Sequence, residues 1–173
     1  MAGSLIKIAE TTVSSAVSSV TITGIDDTYN VYKVLVRNLQ PETNQVYPFM
    51  RFTESGTANT SASYDYGDKN LKAGFAYSNM ANANQTNFYI LSEQLGTGTQ
   101  ELLNGNFFIF NASNGSERTY FTQETTALDH NSNHLGSQGG GVFKQNSVVD
   151  GVNFFMSSGN IASGHFQLFG LRK

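Results

Sequence analysis

Residues 106–126 read NFFIFNASNGSERTYFTQETT. Two runs rich in aromatic and β-branched residues, NFFIFNAS (106–113) and SERTYFTQE (116–124), flank the dipeptide Asn114-Gly115. Both turn positions of a type I′ hairpin need positive φ, which Asn and Gly tolerate, so this stretch predicts a β-hairpin. Asp150-Gly151 stands the same way between VFKQNSVV (142–149) and VNFFMSS (152–158), and predicts a second one.

Period-two alternation extends outward from there. VYKVLVR (31–37) puts Tyr32, Val34 and Val36 on one face, with Lys33 and Arg37 on the other beside Leu35. SSVTIT (18–23) alternates Val20 and Ile22 with hydroxyl residues. No ten-residue stretch pairs helical periodicity with caps; GTQELLN (98–104) is the best place for one helical turn. Pro48 inside VYPFMRFT (46–53) predicts an edge or bulged strand. The sum is an all-β chain, an antiparallel two-sheet β-sandwich of jelly-roll-like type, with roughly ten strands and little or no helix. Residues 1–173 are expected to form one domain with one core.

Composition narrows the function classes. Only 13% of residues are charged, about half the usual share, and Asn, Ser, Thr, Gln and Gly fill the gap. Such a surface is not kept soluble by charge, which points to coverage by partners. A net charge of −3 with scattered Lys and Arg offers no stripe for nucleic acid. The chain has no cysteine, which removes disulfides and thiolate chemistry. The start MAGSLIKIAETT has no apolar signal core, and no run nears the roughly 18 apolar residues of a membrane span. Synthesis in a cytosol without export or membrane insertion is the expectation.

Chemistry-bearing motifs are few. Asp129, His130 and His134 form the one cluster of metal-ligand type, but the His130–His134 pair has no further ligands at a matching spacing. They read as polar loop residues, and no metal or cofactor is expected. His165 alternates with Phe166 on the final strand, where a hydrogen-bonded strand histidine is the ordinary reading. There is no G-x-S-x-G elbow, and GTGT (96–99) lacks the lysine of a phosphate loop. Glu93, Glu101, Glu117, Glu124 and Asp129 supply carboxylates without singling out a catalytic pair. The chain is therefore not expected to be an enzyme.

Two polar segments read as long loops, 54–70 (ESGTANTSASYDYGDKN) and 127–141 (ALDHNSNHLGSQGGG). Tyr64 and Tyr66 in the first, and Asp129, His130 and His134 in the second, are the candidate partner or ligand contacts. FFIF (107–110) and FFM (154–156) carry bulk on both strand faces, so the face away from the core should meet another subunit or a loop of the same chain.

The order of features resembles a group of small β-sandwich virion proteins of tailed bacteriophages, notably marine ones. The resemblance rests on LIKIAETTVSSAVSSVTITGIDDTYNVYKVLVRNLQ (5–40), with its Thr28-Tyr29 pair, and on SASYDYG (61–67) before the middle strands. It also rests on the ending, where Gly164, Phe166, Leu168, Phe169, Gly170 and Leu171 match G-x-F-x-L-[YF]-G-[LI]. The resemblance implies a structural role in the virion after synthesis in the host cytoplasm, most simply as a capsid decoration protein. Its implied partners are major capsid or tail proteins and copies of itself. The alternative it leaves is a tail or fibre-tip module that binds a receptor or a host-surface glycan through the two long loops.

Overall fold

The computed structural model describes residues 4–171. The described residues hold no helix. They form strands β1 (Leu5–Val13), β2 (Ser19–Thr23), β3 (Val31–Pro41), β4 (Pro48–Glu54), β5 (Thr57–Ala58), β6 (Tyr64–Lys72) and β7 (Ser78–Gln85). The chain continues through β8 (Phe88–Tyr89), β9 (Leu103–Phe110), β10 (Arg118–Leu128), β11 (His134–Asn146), β12 (Gly151–Met156) and β13 (Ile161–Leu171).

The pairings explain the architecture. β1 pairs with β13, β2 with β12, β3 with β9 and β4 with β8, all antiparallel. This is one long two-stranded ribbon, first strand against last and inward to its tip. Folded over, it places β1-β13-β3-β9 in one sheet and β2-β12-β4 with β8 in the other. That wrapping is the jelly roll. Two insertions, β5–β7 and β10–β11, interrupt the ribbon. Four of their strands extend the first sheet to eight, in the order β1-β13-β3-β9-β10-β11-β6-β7.

The core lies between the sheets, where alternate residues point inward. Val34, Val36, Phe107 and Phe166 from the large sheet meet Ile22, Met50, Phe52 and Phe154 from the small one, all buried. Phe88 sits 4.3 Å from Phe121 and 4.8 Å from Tyr64, ring centre to ring centre, closing the core under the inserted strands. Each such ring buried contributes about 1.5–3 kcal/mol by removal from water.

The closing strand β13 is interior, flanked by β1 and β3. Phe166 and Leu168 are fully buried, while Leu171 is 36% exposed at the sheet end. Gly170 has a specific reason: the Tyr29 ring occupies the place of its missing side chain, 2.3 Å from where a Cβ would be. Two residues far apart in the sequence thus make one packing unit.

Several expectations change. β9 and β10 do pair as a hairpin, but seven residues join them and Asn111 carries the positive φ, at 60°. Asn114 instead uses its backbone and side chain to bond Asn111, Ser116 and Glu117, so no two-residue type I′ turn forms. Asp150-Gly151 is not a hairpin turn at all, because β11 and β12 lie in different sheets. Asp150 locks that crossover: its carboxylate accepts from the Thr53 hydroxyl and the Gly56 amide, both at 2.6 Å. Pro48 opens β4, which is flanked on both sides, so it marks the strand's first residue and not an edge or a bulge. Residues 98–104 form a turn closed by the Gly98 amide on Glu101 at 2.7 Å, then enter β9. The two long loops shrink to short links, since β6 begins at Tyr64 and β11 runs through the glycine triplet.

Candidate functional site

Read across the large sheet, the registers arrange its outward side chains into rows. One row runs Val31, Phe110, Tyr120, Val142, Asp65. The next runs Lys33, Phe108, Thr122, Gly140, Gly67, Ala81. A third runs Leu35, Asn106, Glu124, Gln138, Lys69, Asn79. Cross-strand neighbours of this kind sit close enough to touch, so the outer face has an apolar aromatic row beside a row of planar polar groups.

The apolar end is an open depression of about 680 Å³ over Phe110, Tyr120, Val142, Ala81 and Ala83. Tyr120 is 46% exposed there. Asp65 at its rim is already satisfied, by the Asn84 amide at 2.7 Å and the Lys144 ammonium at 3.0 Å. Those two contacts, the amide first, hold its carboxyl below the usual range.

The polar end centres on Glu124. Gln138 donates to one carboxylate oxygen at 3.2 Å and Asn106 to the other at 3.5 Å. No Lys or Arg pairs with Glu124 among the described residues. Two adjoining depressions of about 330 Å³ each flank it, one beside Phe108 and Gly139, the other beside Arg37 and Gly105. A Cβ at Gly140 would come within 2.5 Å of the Phe121 carbonyl oxygen, so no side chain can fill this part of the face.

The residues singled out from sequence lie elsewhere. Tyr64 and Tyr66 point into the core, and Tyr64 donates its hydroxyl to the Asn59 carbonyl at 2.8 Å. They are structural rings, and the expectation of a tyrosine contact loop gives way. They alternate with Asp65 and Gly67 because β6 is a two-faced strand. Asp129 is buried, with Lys72 Nζ 2.7 Å from one oxygen and the Asn131 and Asn133 amides each 2.9 Å from the other. Burial alone would raise its pKa; the Lys72 and amide contacts outweigh that and bring it down to about 2. It pins the β10–β11 turn and presents nothing outward. His134 is exposed and meets the Thr126 hydroxyl at 3.1 Å, while the His130 ring meets Asn131. Among the described residues no three His, Asp or Glu side chains gather as metal ligands.

FFIF and FFM do carry bulk on two faces, and their outward rings Phe108, Phe110 and Phe155 are half-buried. Arg51 lies over Phe155, 4.2 Å from the ring centre, and Lys33 over Phe108 at 5.2 Å. A second outward feature is the β6–β7 tip. Phe75 and Tyr77 are 59% and 69% exposed there, under Lys72 and Lys69. Sequence reading passed over Asn106 and Gln138 and left Glu124 one carboxylate among five, because their union depends on the register of three strands. Neither a protein-family model nor a curated protein matches the chain.

Proposed function

We propose that this chain is a structural protein of a tailed-bacteriophage virion, of the capsid-decoration type, which works by subunit contact and not by catalysis. The observation that carries this reading is the open apolar patch of Phe110, Tyr120 and Val142 on the outer face of the large sheet. Burying such a patch against a capsid or tail protein, or a second copy, stabilises the assembled state by mass action. The sequence resemblance supports the same reading. Its first stretch spans β1 to β3 and its last lies on β13, which is hydrogen-bonded to both β1 and β3, and Tyr29 of its Thr28-Tyr29 pair packs on Gly170. The protein's place is then the virion, after synthesis in the host cytoplasm.

Quantitative mass spectrometry of purified particles tests it. A decoration protein occurs at a copy number comparable with the major capsid protein; absence from particles contradicts the proposal.

A second reading is favoured by the Glu124 cleft: a tail or fibre-tip module for a host-surface receptor or carbohydrate. Its surface would be the outer sheet face, to which the 127–141 segment contributes Gln138 and Gly139 as part of a strand and not as a loop. A copy number of a few dozen or fewer would select this reading over decoration.

A further inference from the structure

The cleft around Glu124 has chemistry beyond what a subunit contact needs. Its carboxylate accepts from two carboxamides, those of Asn106 on β9 and Gln138 on β11. Each of these groups has donor or acceptor capacity left over, and all three face solvent in one cross-strand row. The adjacent row offers the Phe108 ring and Thr122, which line the first depression with Gly139, and beyond it Gly140 and Gly67, which carry no side chains. That bare stretch is enforced by backbone, since a Cβ at Gly140 would strike the Phe121 carbonyl.

We infer that this cleft binds a neutral oligosaccharide lying across β9, β10 and β11. Adjacent sugar hydroxyls need donors and acceptors at close spacing, which Asn106, Glu124 and Gln138 supply. The apolar face of a pyranose ring needs an aromatic surface, and the Phe108 ring, which carries the Lys33 ammonium 5.2 Å from its centre, lines the first depression. The cations around the cleft are engaged elsewhere, Lys33 over Phe108, Arg37 on His165 and Lys69 over Tyr77, so the Glu124 carboxylate sets the local sign, disfavours uronates and sialates, and makes the ligand neutral. A nonpolar peptide would strip water from the Glu124 carboxylate and leave its remaining acceptor capacity, beyond the Gln138 and Asn106 bonds, unmet, at a cost of about 1–3 kcal/mol. The depressions fall within the volume range of small-ligand sites.

This inference rests on the second reading above, and the test separates the two. The full chain is titrated by calorimetry and saturation-transfer NMR with short linear hexose and N-acetylhexosamine oligomers, and with uronate- and sialate-bearing counterparts. The expected result is binding of a neutral oligomer only. It should weaken about tenfold or more in Glu124→Gln and in Asn106→Ala, as loss of a hydrogen bond to a charged group implies, with thermal unfolding unchanged. No neutral binding, equal binding of acidic oligomers, or full binding by both variants overturns it. Adsorption of labelled protein to host cells is measured in parallel. Adsorption that persists in both variants overturns the cleft as the site and leaves the tip module standing. No adsorption and no oligosaccharide binding overturn both.

Discussion

Lys72 Nζ lies 2.7 Å from a carboxylate oxygen of Asp129, joining the end of β6 to the β10–β11 turn across β11. The Asp129 side chain is 1% exposed, so its charge is stabilised almost wholly by protein groups. The folded pKa of about 2 lies below the unfolded value of 3.8. The stability this group contributes is therefore complete above pH 4 and drains as pH falls toward 2, a loss of about 2 kcal/mol. Asp129→Asn should cost about 2–3 kcal/mol at neutral pH and flatten the acid limb of the stability curve. Chemical denaturation from pH 2 to pH 7 checks both. An unchanged acid limb in the variant contradicts the assignment.

Phe166 is fully buried, 5.2 Å from Phe154 across the sandwich. Phe166→Ala should destabilise by about 3–5 kcal/mol in denaturant titration. Removing residues 164–173 takes away the larger part of a strand bonded on both sides, and insoluble protein is the expected result. A truncated form that stays soluble and monodisperse would refute the central place of β13.

The outer face is shaped by missing side chains as much as by those present. Gly140→Ala puts a methyl 2.5 Å from the Phe121 carbonyl oxygen and should cost about 1–3 kcal/mol. Gly136→Ala, on the same strand, meets nothing closer than 3.4 Å and should stay within about 0.5 kcal/mol of the parent. Melting temperatures of the pair check the contrast; equal losses at both sites would sink it.

Tyr120 is half-exposed and anchors the apolar patch. Tyr120→Glu should change the stability of the isolated protein by no more than about 0.5 kcal/mol. It should nevertheless abolish incorporation into particles, because a carboxylate cannot be buried unpaired at a contact. Incorporation assays on particles made with the variant check this, and normal incorporation would contradict the role given to the patch.

Much of the fold was legible because alternation is local. Tyr32, Val34 and Val36 face the core as their spacing requires, and Phe166 and Leu168 do the same on the closing strand. What could not be read was which strands share a sheet. Asp150-Gly151 has hairpin chemistry, yet its partners are Thr53 and Gly56, nearly a hundred residues away in the chain. The polar look of 54–70 and 127–141 hid strands whose small residues permit close backbone approach, as at Gly140 and Gly67. Tyr64 and Tyr66 were found as notable residues but with the wrong exposure. Glu124 was one of five unplaced carboxylates, since only the β9–β10–β11 register sets it between two carboxamides.

The most direct test of the virion assignment is electron cryomicroscopy of the purified phage particle. The account predicts density for this eight-stranded and five-stranded sandwich on the particle, with the Phe110–Tyr120 face buried against a neighbouring subunit. Particles without that density, or with it present and that face open to solvent, would contradict it.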